Sequence, residues 1–238
     1  MGNYPHYRGN SDWCISICNS GLAGIYLFSV LNRESGVESR KSMIIGITGG
    51  IGSGKSTIAR ELRAMGYMVY DTDLEAKRLI MEDASVHQQI EALLGKDVFE
   101  DGVYQTKIVA QRVFADMNLL GQLNAIVHPA VKADILDWRS KYEKRSEDLL
   151  FVECAILFQA GFDVVCDKVV MITAAEEIRI QRTIERDHTS IDKVRARIRA
   201  QKVENDIARA DLVVNNDGKI EIMTICLQIQ DFFCNFAG

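Results

Sequence analysis

Five short apolar runs punctuate the chain: Met43–Thr48, Tyr67–Tyr70, Leu149–Val152, Lys168–Thr173 and Leu212–Val214. Runs this short predict buried strands. Four stretches carry apolar residues at helical spacing: Ser56–Met65, Glu176–Arg186, Ile191–Ile207 and Lys219–Phe233. Strands alternating with helices predict an α/β fold, a five-stranded parallel sheet covered on both faces.

One interval breaks the alternation. From Leu74 to about Lys144 the pattern is helical and strand-poor, with breaks expected near Gly95, Gly102 and Pro129. It predicts an inserted helical subdomain, about residues 74–148, that shapes a substrate site. No internal repeat or low-complexity tract is present.

Composition narrows the function classes. Of 238 residues, 47% are hydrophobic and 26% charged, which excludes a wholly disordered chain. The net charge of -5 argues against general nucleic-acid binding, since a phosphate backbone selects a basic surface. No apolar run spans a membrane without polar interruption. Cys154, Cys166, Cys226 and Cys234 lie in apolar or helical-looking stretches, as buried free thiols do. Cys14 and Cys18 are four apart, but no second pair completes a zinc site. A reduced, cytoplasmic protein with no membrane partner is expected.

Residues 1–42 read differently. Arg8, Arg33, Arg40 and Lys41 nearly balance Asp12, Glu34 and Glu38, and one apolar patch covers Leu22–Leu31. No clean cleavage site follows that patch. His6 stands where myristoylation wants Ser or Thr. Met43 directly precedes the first strand, so residues 1–42 are expected to be a non-essential extension of a domain covering 43–238.

The first strand runs into Gly49-Gly50-Ile51-Gly52-Ser53-Gly54-Lys55-Ser56, which matches G-x-x-x-x-G-K-[ST] with a strand before it and a helix after. Glycines let successive N–H groups turn inward around a phosphate, and the helix adds free N–H groups and a positive dipole end. Gly50, Gly52, Ser53, Gly54, Lys55, Ser56 and Thr57 are therefore expected to bind ATP. Lys55 reaches its β- and γ-phosphates, and Ser56 places a hydroxyl on Mg²⁺.

Three acids follow strands. Asp71 and Asp73 close the second run, at the sheet edge where ligands gather. Either can take the proton of an attacking hydroxyl, or one of them serves the cap of a helix starting near Leu74, which Thr72 or Asp73 can do; spacing does not choose. Glu153 ends the third run, either as a Mg²⁺ acid, directly or through water, or as a solvated strand end. Between residues 179 and 202 stand eight basic residues against three acids. Such a run is either a lid that brings guanidinium groups to a transferred phosphoryl or a solvated helix face.

The ordered set of motifs resembles the dephospho-CoA kinase family over Met43 to the C-terminus. Thr48–Ser56 is similar to its T-G-G-I-G-S-G-K-[ST], and Asp71-Thr72-Asp73 to its D-[AT]-D. Arg112-Val113-Phe114 and Leu123–Pro129 match R-x-V-F and L-x-x-I-x-H-P. Arg182 and Arg186-Asp187 match R-x-x-x-R-[DN]; Arg197–Gln201, Ala210-Asp211 and Asn215 match its R-[IM]-x-x-Q, A-D and final N. The chain departs at Ala155–Gln159, where P-L-L-x-E is usual. It departs again at Asp206, where Lys or Arg is common. The resemblance implies a P-loop NTPase three-layer fold with a helical lid at about 186–205. It also implies ATP- and Mg²⁺-dependent phosphorylation of the ribose 3′-hydroxyl of dephospho-CoA. Asp73, Lys55, Arg182 and Arg186 would be catalytic, Asp73 and His128 would meet the acceptor, and Ser56 and Glu153 would hold the metal. His128 has a second reading, as a His-Pro turn device. Other small-molecule P-loop kinases share loop and lid; a guanine-reading switch would need N-K-x-D, which is missing.

Overall fold

The computed structural model describes residues 42–142, 149–201 and 203–235, the side chains of Phe114, Val203 and Glu204 excepted. The extension (through residue 41), Cys14 and Cys18 lie outside these residues. The elements in order are β1 (Met43–Thr48), α1 (Lys55–Ala64), β2 (Met68–Asp71), α2 (Thr72–Glu82) and α3 (Ala84–Leu94). Then come β3 (Phe99–Glu100), β4 (Val103–Tyr104), α4 (Thr106–Ala115) and α5 (Met117–Ser140). The chain continues through β5 (Leu149–Glu153), β6 (Lys168–Thr173), α6 (Glu176–Asp187), α7 (Ile191–Gln201), β7 (Leu212–Asn215) and α8 (Ile222–Cys234).

Five strands pair in the order β2-β5-β1-β6-β7, all parallel. The period of two sorts their side chains. Leu150 and Val152 face the layer of α2–α5, whereas Leu149 and Phe151 face α1 and α8. Both faces are covered, which is why the strands read as continuous apolar runs and not as alternation. The chain leaves β1 toward β5 and β2, then crosses to β6 and β7. That reversal puts the open crevice at the carboxyl end of β1, where the glycine-rich loop begins.

The helical interval differs from expectation in three ways. Pro129 does not break its helix: α5 runs through it, because Leu123, Val127, Val131 and Ile135 form one buried stripe on both sides of the proline. The break falls instead at Asp116, whose side chain accepts from the Asn118 amide and starts α5. A two-stranded antiparallel hairpin interrupts the helices, turned by Asp101 and Gly102, both at positive φ. Asp-Gly is the pair such a turn selects.

The helix expected over Ile191–Ile207 stops at Gln201 and gives way to 3₁₀ turns over Val203–Arg209. Of the four described cysteines, Cys154 and Cys226 are buried, Cys166 is half-buried, and Cys234 is exposed at the end of α8. The expectation of buried thiols therefore holds for Cys154 and Cys226, falls short at Cys166 and fails at Cys234. Asp167 ties the start of the domain together: it accepts from the Ile44 amide at 2.7 Å and from Arg139 at 2.9 Å.

Candidate active site

Helix α1 is preceded at its N-cap by Gly54, which has φ 95° and offers no side-chain cap. Its first turn contains no acid. The amides and positive end of this helix therefore stay available to an anion. The loop in front is folded on itself by the Ser53 amide, which donates to the Gly50 carbonyl at 3.1 Å. Lys55 is buried, and its Nζ donates to the Gly50 carbonyl at 3.3 Å. Burial pushes its ammonium below the ordinary lysine range; Glu153 pulls the other way. A phosphate in the loop would act against the burial effect, as any nearby negative charge does.

Ser56 Oγ donates to Glu153 Oε1 at 2.6 Å, joining the head of α1 to the end of β5. Burial raises the Glu153 carboxyl above the usual carboxylate range; the Ser56 bond and Lys55 oppose that. Asp71 pairs in register with Glu153 on the neighbouring strand. These hard oxygens fit Mg²⁺. Among the described residues no group of three His, Cys, Asp or Glu could hold an ion alone.

The two neighbouring aspartates separate by backbone position. Asp71 caps α2: its Oδ1 accepts from the amides of Asp73 (3.1 Å) and Leu74 (3.0 Å). The helix thus begins at Thr72, two residues earlier than Leu74, and the cap is neither Thr72 nor Asp73. Asp73 sits in the first turn, exposed, with no side-chain hydrogen bond or ion pair among the described residues. Both acids line one cleft of about 650 Å³, together with Lys55, Ser56, Glu153, Arg182 and Arg186. His128 is not part of that lining. It stands on α5 with its ring edge-on to Phe162 at 5.5 Å, and burial and Lys132 lower its pKa.

The basic run divides. Arg179 is buried and its Nε donates to the Ile51 carbonyl at 3.0 Å. Arg182 faces the cleft and donates to the Asn216 carbonyl at 2.8 Å. Arg186, also in the cleft, pairs with Asp187 at 2.7 Å, and Asp187 in turn holds Arg197 at 3.1 Å. Arg195 lines an apolar hollow elsewhere, beside Ile184 and Ile191.

The two adjacent asparagines at the end of the last strand differ in placement. Asn215 is exposed, whereas Asn216 is buried and its Nδ2 donates to the Ser53 carbonyl at 2.8 Å. A Cβ on Gly54 would lie 2.2 Å from that nitrogen, so the glycine permits the contact. An Asn-Asn pair closing a strand was the only signal in the sequence, and it does not say which one turns inward.

A parallel sheet with this glycine-rich loop at its central strand, a buried lysine, a Ser–Glu pair and a basic helical flap defines a P-loop kinase of small molecules. The chain belongs to the dephospho-CoA kinase family, whose model matches residues 43–221. A dephospho-CoA kinase of Porphyromonas gingivalis is 43% identical over 166 residues, 70% of this chain and 81% of the relative. One from Bacteroides fragilis is 36% identical over 79% of this chain and 91% of its own length. Among solved structures, a Thermus thermophilus protein superposes with TM-score 0.70 at 33% identity, covering 81% of this chain and 97% of that one. A Campylobacter jejuni dephospho-CoA kinase (TM-score 0.62, 22% identity, 82% and 98% covered) shares the fold. Among the described residues no helix is long and apolar enough to cross a membrane.

Proposed function

We infer that the chain transfers the γ-phosphoryl group of ATP to the ribose 3′-hydroxyl of dephospho-CoA, giving coenzyme A and ADP in the cytoplasm. The observation that carries this reading, beside family membership, is the unpartnered Asp73 carboxylate sharing one cleft with Lys55 and the Ser56–Glu153 pair.

Asp73 orients the 3′-hydroxyl and accepts its proton as the O3′–P bond forms and the bond from γ-phosphorus to the bridging oxygen breaks. The phosphate-loop amides and Lys55 follow the β- and γ-phosphates. Ser56 and Glu153 would hold Mg²⁺, which when bound would neutralise charge on those phosphates. Arg182 and Arg186 stabilise charge on the moving group. His128, on the helical layer, contributes to the acceptor site.

The test is a panel of acceptors incubated with ATP and Mg²⁺, the new phosphate located by mass spectrometry and NMR. Conversion of dephospho-CoA to CoA, with adenosine and AMP far poorer, is expected. Preferential phosphorylation of a nucleoside monophosphate would contradict the reading.

A further inference from the structure

Three contacts from the lid side converge on Ile51. Its amide donates to Oε1 of Gln201, the last residue of α7, at 2.7 Å. Its carbonyl accepts from Arg179 Nε on α6 at 3.0 Å. Its side chain packs on the small apolar cluster of Ile180, Val194 and Ile198, which binds α6 to α7 and stands apart from both main cores. The loop is shaped for this approach: a Cβ on Gly52 would lie 2.3 Å from the Arg179 carbonyl.

Ile51 is the one residue from Gly49 to Gly52 with a side chain. Glycine loses more conformational freedom on ordering than any other residue, so such a loop is costly to hold in one shape. Fixing one residue's backbone costs roughly 1–2 kcal/mol. A fastener outside the loop can supply that order before a nucleotide arrives.

We propose that Ile51 is a positioning residue that bolts the phosphate loop to the lid helices, so that ATP affinity depends on the packing of α6 against α7. The proposal rests on the reading that ATP occupies this loop. Loosening the bolt leaves each phosphate contact chemically possible, but binding must then order the loop itself. The coupling is reciprocal: a nucleotide that fixes the loop also fixes α7.

The test compares Ile51→Ala, Ile51→Val and Ile198→Ala by titration with ADP, steady-state kinetics with ATP and ligand-free melting. Ile198 lines the lid core and not the cleft. Expected is a rise of about tenfold in ADP Kd and ATP KM for Ile51→Ala, matching one ordered residue. Ile51→Val should restore affinity to within about threefold of the parent, and Ile198→Ala should weaken nucleotide binding in the same direction. If Ile51→Ala is unfolded, Ile198→Ala decides by the same readouts, because Ile198 lies outside the cleft that Gln201 lines. Nucleotide affinity unchanged within twofold, with loss only in melting temperature, would overturn the proposal. A parent protein that binds no ADP would instead contradict the ATP reading, so the two failures are distinct.

Discussion

The side-chain amide of Gln159 donates to Asp206 Oδ2 at 2.6 Å, joining the segment after β5 to the 3₁₀ turns that follow α7. Both stand among the positions where the sequence departs from the pattern it resembles, an amide where an acid is usual and an acid where a base is common. The departures face each other and form one matched contact. Asp206 also accepts from Arg209 at 3.1 Å, and Arg209 pairs with Asp163 at 2.8 Å.

Restoring only one half of the pattern should therefore do harm. Gln159→Glu sets two carboxylates in contact and should cost about 1 kcal/mol, the upper end for exposed pairs. In a domain of this size that lowers Tm by about 2–4 °C. Gln159→Ala should cost less. Melting both variants at low and high salt checks it: salt should narrow the gap between them. A more stable Gln159→Glu would contradict the pairing.

The arginines make a second contrast. Arg182→Ala and Arg186→Ala, both in the cleft, should lower kcat and kcat/KM together by about 10²–10³-fold if they stabilise transition-state charge. Arg195→Ala, beside the apolar hollow, should stay within about twofold, as expected of a surface change. Equal small effects at all three would make the whole run a solvated face.

Glu153 predicts a pH dependence. Burial raises its carboxyl, so on acidification it takes up a proton at a higher pH than an ordinary glutamate does. Once neutral it would lose its attraction for a metal held beside Ser56. The Mg²⁺ concentration for half-maximal rate should therefore rise as pH falls, beginning above the usual carboxylate range. Glu153→Gln should need about tenfold or more Mg²⁺ at neutral pH, as losses in an outer shell do. It should also flatten that pH dependence. A parent-like Mg²⁺ titration in Glu153→Gln would remove the acid from the metal site.

The start of the domain gives a fourth prediction. Ser42 is buried and its carbonyl accepts from Arg139 Nη2 at 2.9 Å. A protein starting at Met43 should fold and turn over like the full chain, but lose about 1 kcal/mol with that bond. One starting at Ser42 should keep it. Melting and specific activity of both check this; loss of activity per folded molecule would make residues 1–42 integral.

Much of this arrangement was legible in the sequence where one cause dominates. Buried strands such as Leu149–Val152 announce themselves because both faces are apolar, and the phosphate loop because only glycines fit its backbone. The rest depended on competition. Pro129 signals a break, yet the buried stripe through Val127 and Val131 outweighs one missing hydrogen bond. Asp71, Thr72 and Asp73 are all capable caps, and the choice fell to Asp71 because β2 runs directly into α2. Asn216 rather than Asn215 meets the loop because the strand's period of two turns one inward and the other out. The bolt at Ile51 joins residues 150 apart and leaves no local signal.

The division of labour between Asp73 and Asp71 is the sharpest consequence of the site. General-base help of this kind is worth about 10²–10⁴-fold, and losing a helix cap about 1 kcal/mol. The decisive measurement is kcat for Asp73→Asn and Asp71→Asn at saturating ATP, Mg²⁺ and dephospho-CoA, with ATP affinity by titration and the product's phosphate located by NMR. Expected are 3′-phosphorylated product, a loss of about 10²–10⁴-fold for Asp73→Asn with ATP binding intact, and for Asp71→Asn a smaller loss with a lower Tm. A phosphate elsewhere on the product, or Asp71→Asn as the slower enzyme, would contradict this reading.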